Sequence, residues 1–198
     1  MTETAPPDRL WTERLLIRVW NAADAPSLRH AIDVSLPELL PWIPFAKDEP
    51  TTMDQLRERL DGYAADFVQG KDFLYALVDP DDTEIRGGVG LYQRVGPGAL
   101  EIGYWLRSDL AGRGLMTEAV AALTGVGLEL PGLDRLEIHI DPANGASAAI
   151  PLKLGYRHRE TLPNRSAGRE TMIWEIDRAG LSALPAAPSP GYSRSRPL

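Results

Sequence analysis

A pair of glycines between a strand-like and a helix-like segment constrains this chain more than any other feature. Gly112 and Gly114 follow the strand-like residues 99–107 and precede residues 115–130, where apolar side chains recur at helical spacing. Glycine lets the backbone turn tightly and approach a ligand closely. The helix adds unpaired N–H groups and the positive end of its dipole. The segment therefore predicts either a phosphate-binding loop or a plain strand-to-helix turn.

Two familiar phosphate motifs are absent. No Gly-x4-Gly-Lys-Ser/Thr occurs, and Thr117 stands where the dinucleotide fingerprint has its third glycine. The ribose-binding acid that should follow a parallel βαβ unit is missing as well, which argues against a dinucleotide-dependent oxidoreductase. Any bound phosphates therefore belong to a different kind of ligand.

Charge and residue usage exclude several function classes. The formal net charge is −7, so we expect no nucleic-acid partner, because phosphate-backbone binding needs a dense basic surface. An anionic ligand must instead be held locally, by backbone groups. The chain has no cysteine, which excludes a disulfide scaffold, a thiolate zinc site and a cysteine nucleophile. The three histidines, His30, His139 and His158, lack metal-ligand spacing, so we expect no metal.

The length of 198 residues fits one domain. We place that domain at residues 8–178 and a Pro/Ala/Ser-rich tail at 179–198, poorly packed from about residue 184. Residues 1–9 lack the basic and apolar regions of a secretory signal, and no apolar run reaches membrane-spanning length. We therefore expect a cytoplasmic protein without a membrane partner. A monomer and a homodimer both remain open.

The periodicity of the chain predicts a mixed sheet with helices packed on it. Thr52 and Gln55 have the spacing of a capping box, and Asn21 is a second candidate cap. Pro37, Pro41 and Pro44 should break the segment 36–45 into turns. Glycines in one strand indicate either a close approach of another group or a weakened edge. The predicted strands are 14–20, 73–78, 85–95, 99–107, 135–140, 156–161 and 171–176, the predicted helices are 22–33, 53–67, 115–130 and 144–154, and the strand glycines are Gly87, Gly88 and Gly90.

Longer blocks of the sequence resemble a known family. The block Glu101-Ile-Gly-Tyr-Trp-Leu-Arg107, followed by Gly112-Arg-Gly-Leu-Met-Thr-Glu-Ala119, is similar to the acetyl-coenzyme A motif of the GNAT superfamily, in its ribosomal-protein-alanine N-acetyltransferase branch. Residues 12–18, 40–44 and 141–156 resemble further parts of that branch. The resemblance spans about residues 12–177. It implies one α/β (α+β) domain with a mixed, mostly antiparallel central sheet, flanked by helices and splayed at the cofactor site.

The resemblance also implies a binding mode for acetyl-coenzyme A. The amides of residues 112–117 would hold the pyrophosphate, and the main chain near Leu106 would pair with the pantetheine arm. The sequence departs from the family at Ala111, where Gln or Arg is usual, and at Met116, where Gly or Ala is usual. The implied cofactor-binding residues are Trp105, Leu106, Arg107, Gly112, Arg113, Gly114, Leu115, Met116, Thr117 and Asn144.

Direct acyl transfer to an amine needs a proton acceptor and a stabilised leaving thiolate. Glu101 is the candidate base, acting directly or through a water, and a salt-bridged strand-end carboxylate is the alternative interpretation. Ser147, implied to lie near the sulfur, is the candidate proton donor, and a helix-surface serine is the alternative. Tyrosine has this role in many relatives, but residues 144–154 contain none.

The acceptor side is assigned to aromatic residues. Trp42 and Phe45 are predicted to wall the pocket, and Tyr92 should lie across a hairpin from Glu101, although such aromatics are more often core residues. The sequence thus predicts an N-acetyltransferase that moves an acetyl group to a primary amine, with a protein or peptide N-terminus favoured. A small-molecule amine acyltransferase and a catalytically silent coenzyme A-binding sensor remain alternatives.

Overall fold

The computed structural model describes residues 5–164 and 168–182, so most of the predicted tail lies outside the described residues. These residues form one eight-stranded sheet in the order β1-β2-β3-β4-β5-β6-β8-β7. All neighbouring strands pair antiparallel except β5 and β6, which are parallel. The strands are β1 Arg9–Trp11, β2 Leu16–Val19, β3 Phe73–Val78, β4 Ile85–Tyr92, β5 Ala99–Leu106, β6 Arg135–Ile140, β7 Arg157–Asn164 and β8 Arg169–Asp177.

Helices cover both faces of the sheet. On one face, α1 and α2 pack over a core that includes Leu28, Leu56 and Ala76. On the other face, α3 packs over a core that includes Leu123 and Leu136, and α4 lies beside it. The predicted α/β class with a mixed, mostly antiparallel sheet is therefore confirmed. The helices are α1 Ala25–Leu39, α2 Met53–Val68, α3 Leu115–Glu129, α4 Gly145–Lys153 and α5 Arg178–Ser182.

Local sequence signals set several helix starts. The predicted capping box is present at α2, where the Thr52 hydroxyl accepts from the Gln55 N–H at 3.2 Å and the Gln55 side chain accepts from the Thr52 N–H at 2.7 Å. The Asn21 side chain caps a short 3-10 helix, Ala22–Asp24, that leads into α1. Among the described residues, no helix is long and apolar enough to cross a membrane.

The main error of the sequence prediction concerns Pro37. A turn was expected there, and a helix end at residue 33, but α1 continues through Pro37 to Leu39. The reason is tertiary packing, because Leu28, Ile32 and Leu39 keep one apolar face of the helix buried. The three-residue strand β1 and the short helix α5 were not predicted, and both β7 and β8 are longer than expected.

The sheet opens between its two parallel strands. Residues 99–101 of β5 pair with residues 135–137 of β6, and the register ends there although both strands continue. One edge of β5 beyond Glu101 therefore has backbone groups that are not used by β6. This is the splay that the resemblance implied.

Candidate active site

A cavity of about 980 Å³ lies at the splay between β5 and β6. Its lining includes residues of α1 and α2 and residues at the start of α4. At one end it reaches the first turn of α4, and at the other it reaches residues 40–45 after α1. It brings together seven of the fifteen predicted site residues from distant parts of the chain. These residues are Trp42, Phe45, Tyr92, Glu101, Trp105, Asn144 and Ser147.

The glycine loop lies outside this cavity, at the start of α3. Gly112 and Gly114 have φ angles of +76° and +77°, the left-handed region that favours glycine. The first backbone hydrogen bond of α3 runs from the Glu118 N–H to the Gly114 carbonyl. The amides of residues 115–117 therefore precede the helical hydrogen bonds and suit an anion.

The side chains of the loop leave these amides accessible. Leu115 and Met116 are buried in the core beneath the loop, whereas Ala111, Gly112 and Arg113 are exposed. The departure from the family at Met116 therefore places a methionine in the core and not over the amides. A Cβ added at Gly112 would meet open space, so there is room above the loop for a ligand.

Arg14 fixes the loop from the β1–β2 connection. Its guanidinium donates to the Arg113 carbonyl at 2.8 Å and to the Glu118 carboxylate at 2.7 Å, and its backbone N–H also donates to Glu118. Burial raises the pKa of Glu118, but hydrogen bonds from Thr12 and Arg14 outweigh it, and the pKa lies below its ordinary value. The acidic side chain of the first turn is thus neutralised by Arg14, and the helix start remains suitable for an anion.

The two arginines predicted for the cofactor differ in position. Arg107 is buried, and its guanidinium contacts the carboxylates of Glu84 and Asp109. Arg113 is exposed on the loop and donates to the Asp109 carbonyl at 3.0 Å. Arg107 therefore supports the loop from within the protein, and Arg113 is the arginine that faces solvent beside it.

Glycines in β4 and β5 make room for two aromatic rings. A Cβ at Gly88 would lie 2.7 Å from Nε1 of Trp105, and a Cβ at Gly103 would lie 2.8 Å from Cε2 of Tyr92. Close approach, and not a weakened edge, thus explains Gly88. Burial raises the pKa of Tyr92 to about 12, so its hydroxyl is protonated at neutral pH.

The wall opposite these rings comes from the segment after α1. Phe45 packs edge-on against Trp105, with ring centroids 5.7 Å apart. Trp42 is half-buried at the cavity and has the guanidinium of Arg169 over its ring. The short 3-10 helix Pro44–Asp48 is followed by Glu49, whose carboxylate pairs with arginines of both α1 and α2. The aromatic wall is therefore held by ion pairs as well as by packing.

Glu101 lines the cavity on β5, at the point where the β5–β6 register ends. It is paired directly with Tyr92 across the β4–β5 hairpin, as predicted. Its two carboxylate oxygens accept hydrogen bonds of 2.7 and 2.6 Å from Arg94, so the ion pair that was an alternative interpretation is present within the cavity. The Glu101 side chain is 8% exposed. A buried carboxylate at an open cavity suits the binding of a cationic amine.

Two predicted residues lie at the start of α4. The Asn144 side chain accepts from the Ser147 N–H at 3.1 Å and so caps the helix. Ser147 is half-buried and lines the cavity. Its carbonyl accepts a 3.0 Å hydrogen bond from the Tyr104 hydroxyl, and burial raises the pKa of Tyr104 well above its ordinary value.

Among the cavity residues that sequence reasoning missed, three have polar groups close to the predicted ones: Arg94, Tyr104 and His139. His139 lies between Glu101 and Glu137, with its Nδ1 3.7 Å from one carboxylate and its Nε2 2.7 Å from the other. The spacing of Glu137 and His139 along one strand placed them on a common face. Their proximity to Glu101 depends on the β5–β6 register, for which the sequence has no signal.

Comparison with known proteins agrees with this geometry. Residues 14–157 match the family model described as "Acetyltransferase (GNAT) domain". The chain belongs to the GNAT acetyltransferase family. Among described residues of the enzyme, no group of three or more His, Cys, Asp or Glu side chains is arranged to hold a metal.

Named relatives extend the comparison. The chain is 29% identical over 154 residues to the [ribosomal protein uS5]-alanine N-acetyltransferase of Escherichia coli (strain K12), covering 76% of this chain and 79% of that protein. It is 28% identical over 131 residues to the probable N-acetyltransferase YjcK of Bacillus subtilis (strain 168), with coverages of 65% and 71%. The structure of Mycobacterium smegmatis RimJ in complex with CoA-disulfide superposes with a TM-score of 0.72 at 22% identity, covering 89% and 91% of the two chains.

The acetyl donor of the enzyme is acetyl-coenzyme A, and the structure fits that molecule. The amides at the start of α3 suit a pyrophosphate, the free edge of β5 suits the amide groups of pantetheine, and the splay leads to the cavity. Acetyl-coenzyme A supplies an activated acetyl group with a thiolate as its leaving group. The protein residues must therefore bind it, admit the amine and manage two protons.

Proposed function

We propose that this acetyltransferase acetylates the N-terminal amine of a protein or peptide. The observation that carries the proposal is the length of the cavity beyond Glu101. It continues past the splay to Trp42 and to residues 169–171 of β8, which is more room than a small amine requires. The E. coli relative, named for a ribosomal protein alanine, supports the same class of acceptor.

The polar groups around the cavity suit a peptide. Arg59, Arg94 and Arg169 each have their guanidinium over one aromatic ring of the wall, at 5.6, 4.3 and 5.5 Å from the ring centroid. Guanidinium N–H groups can donate to the carbonyl oxygens of a peptide main chain, and the aromatic rings can pack against its side chains. A simple amine has no carbonyl groups to use these donors.

In the proposed reaction, the residues of the glycine loop, of β5 and of the first turn of α4 have defined tasks. The amides of residues 112–117 bind the pyrophosphate, and Trp105 and Leu106 offer main-chain groups to the pantetheine arm. Glu101 receives the acceptor amine and takes part in the removal of its proton, directly or through a neighbouring group. Ser147 donates a proton to the leaving sulfur from the first turn of α4, and Asn144 holds that turn in place.

A peptide panel tests the acceptor class. The protein is incubated with acetyl-coenzyme A and three kinds of acceptor: peptides with a free N-terminus, the same peptides with a blocked N-terminus and an internal lysine, and small amines. We expect acetylation at the α-amine of the first kind, located by mass spectrometry. Acetylation of small amines alone would replace the proposal by a small-molecule transferase, and tight acetyl-coenzyme A binding without any turnover would replace it by a sensor.

The proposal also covers the cellular location and the domain limits of the enzyme. A protein acceptor of the ribosomal kind is met in the cytoplasm, where we place this protein. Residues 8–178 are proposed as the catalytic domain. Cell fractionation with an antibody to the chain tests the location, and a truncation after residue 182 tests whether the tail is needed for acetylation.

A further inference from the structure

A row of three side chains crosses the open end of the sheet on its acceptor face. Glu101 of β5 is paired in register with Glu137 of β6, and His139 follows Glu137 on the same face. His139 lines the cavity and its side chain is 25% exposed, whereas the two glutamates are 8% and 3% exposed. The imidazole is therefore the member of the row with the freest access to a substrate and to water.

The surroundings of Glu137 fix which nitrogen of a neutral His139 ring carries the proton. Arg135 and Arg159 donate to Oε1 of Glu137 at 2.7 and 3.0 Å. Burial raises the pKa of Glu137, but hydrogen bonds from His139 and Arg135 outweigh it and leave the pKa below its ordinary value. An ionised carboxylate can only accept hydrogen bonds, so Nε2 must be the donor to Glu137. In a neutral His139 ring, Nε2 therefore carries the proton and Nδ1 has none.

The other ring nitrogen of His139, Nδ1, lies beside Glu101. Nδ1 is 3.7 Å from Oε2 of Glu101, so one amine nitrogen can lie within about 2.9 Å of both atoms. Both oxygens of Glu101 already accept hydrogen bonds from Arg94, whereas Nδ1 in the neutral tautomer of His139 is a hydrogen-bond acceptor. Ile173 is the residue opposite His139 on β8. The charged side chains around the row are Arg94, Arg135, Asp141, Arg159, Arg169 and Glu175.

We propose that His139 is a further catalytic residue, the proton acceptor of the transfer reaction, with Glu137 as its positioning residue. The inference rests on the proposed function, because the amine that loses the proton is the proposed acceptor. The ammonium binds between Glu101 and His139, its N–H bond breaks, and the proton bonds to Nδ1. The neutral amine keeps the electron pair for attack on the acetyl carbonyl. The imidazolium lies between two carboxylates that stabilise it, and it returns the proton to water at the cavity mouth.

Kinetics of a matched pair of variants test the proposal. His139→Gln removes the titrating ring, and His30→Gln makes the same change on the exposed surface of α1. We expect kcat/KM of His139→Gln to fall by about 100-fold and the acid limb of the wild-type pH–rate profile to disappear, while the acetyl-coenzyme A affinity stays unchanged. His30→Gln should match the wild type. Wild-type kcat/KM and an unchanged acid limb in His139→Gln would overturn the proposal.

The tautomer of His139 is a second readout that does not need turnover. Two-bond ¹H–¹⁵N NMR spectra of the protein distinguish protonated from bare ring nitrogens, and the spectrum of His139→Gln assigns the signal. We expect a protonated Nε2 and a bare Nδ1 above the pH at which the ring is charged. A protonated Nδ1 would overturn the proposal. If small amines but no peptides react, the proposed peptide acceptor is wrong, and the His139→Gln kinetics are measured with those amines. If the wild-type protein acetylates no amine, both the proposed function and the role of His139 are contradicted.

Discussion

The proposed donor half and the proposed acceptor half of this active site are built in different ways. The donor half uses consecutive residues, 112–117, whose main-chain amides open α3, and its anion-binding property depends on conformation more than on side-chain chemistry. The acceptor half uses side chains from β4, β5, β6, α2, β8 and the segment after α1. A backbone site tolerates changes at its surface, whereas a side-chain site loses function with single substitutions.

Charge is also handled differently in the two halves. In the donor half, Arg14 neutralises the nearby carboxylate Glu118, and the helix amides remain for an anion. In the acceptor half, the carboxylate of Glu101 lines the cavity, that of Glu137 is buried on the neighbouring strand, and both are held by arginines. The difference explains how a chain of net charge −7 can offer separate sites for an anionic cofactor and, in the proposed reaction, for a cationic amine.

The largest effect is expected in the acceptor half. Glu101→Gln keeps the size of the side chain but removes the charge that receives the amine, so kcat/KM for a peptide should fall by about 100-fold or more. Steady-state kinetics with thiol detection measures this. Glu58→Gln, an exposed change on α2, is the matched control and should have wild-type kinetics. A Glu101→Gln enzyme within threefold of wild type would remove Glu101 from the mechanism.

In the donor half, a substitution that strains the backbone should change only the affinity for acetyl-coenzyme A. Gly114→Ala places a Cβ on a residue with φ +77°, which costs about 1–2 kcal/mol in the left-handed region. We expect the Kd for acetyl-coenzyme A to rise about tenfold in calorimetry, with kcat at saturation unchanged. Gly125→Ala, inside α3 with open space around its Cβ, is the matched control. Equal effects of the two alanines would refute a backbone-built donor site.

The same contrast explains what the sequence could predict. The glycine turn into α3 was predictable because Gly112 and Gly114 lie in one contiguous motif and because α3 begins where the apolar periodicity begins. The start of α2 was predictable from its capping box for the same local reason. The helical conformation at Pro37 was not predictable, because the packing of a buried helix face outweighed the tendency of proline to end a helix.

In the acceptor half, the aromatic residues Trp42 and Phe45 were predicted and line the cavity, but contacts between strands were predictable only within one hairpin. Tyr92 and Glu101 were correctly placed because a short connection fixes their pairing. Arg94 and His139 were missed, because their contact with Glu101 depends on how a bend after β4 folds back and on the register of two strands that are distant in sequence. Long-range register leaves no local pattern in the chain.

A smaller effect concerns the stability of the charged row. Glu137→Gln removes a carboxylate that accepts from His139 and two arginines, so the free energy of unfolding at pH 7 should fall by about 1 kcal/mol. The pKa of Glu137 is lowered in the folded state, so its contribution is present above the unfolded pKa of about 4.3 and is lost as the pH falls through the lower folded pKa. In urea titrations, the difference in the free energy of unfolding between Glu137→Gln and the wild type should be smaller below pH 4 than at pH 7. A difference that does not change with pH would show that it does not come from the charge of Glu137.

The smallest effect is expected from the support of the donor loop. Arg14→Ala releases the Arg113 carbonyl and the Glu118 carboxylate, which leaves an uncompensated negative charge near the phosphate site. We expect the Kd for acetyl-coenzyme A to rise about threefold, and more at low salt than at high salt. Arg57→Ala breaks an exposed ion pair on α2 and is the control. A salt-independent change would indicate loss of packing instead of charge.

The separation of the two halves is tested most directly by calorimetric titration of acetyl-coenzyme A into Glu101→Gln. Because the donor site consists of α3 amides and the edge of β5, the variant that fails in catalysis should bind acetyl-coenzyme A with a Kd within twofold of wild type. A Kd raised tenfold or more would show that the acceptor carboxylate contributes to donor binding and would contradict the division of the site into a backbone half and a side-chain half.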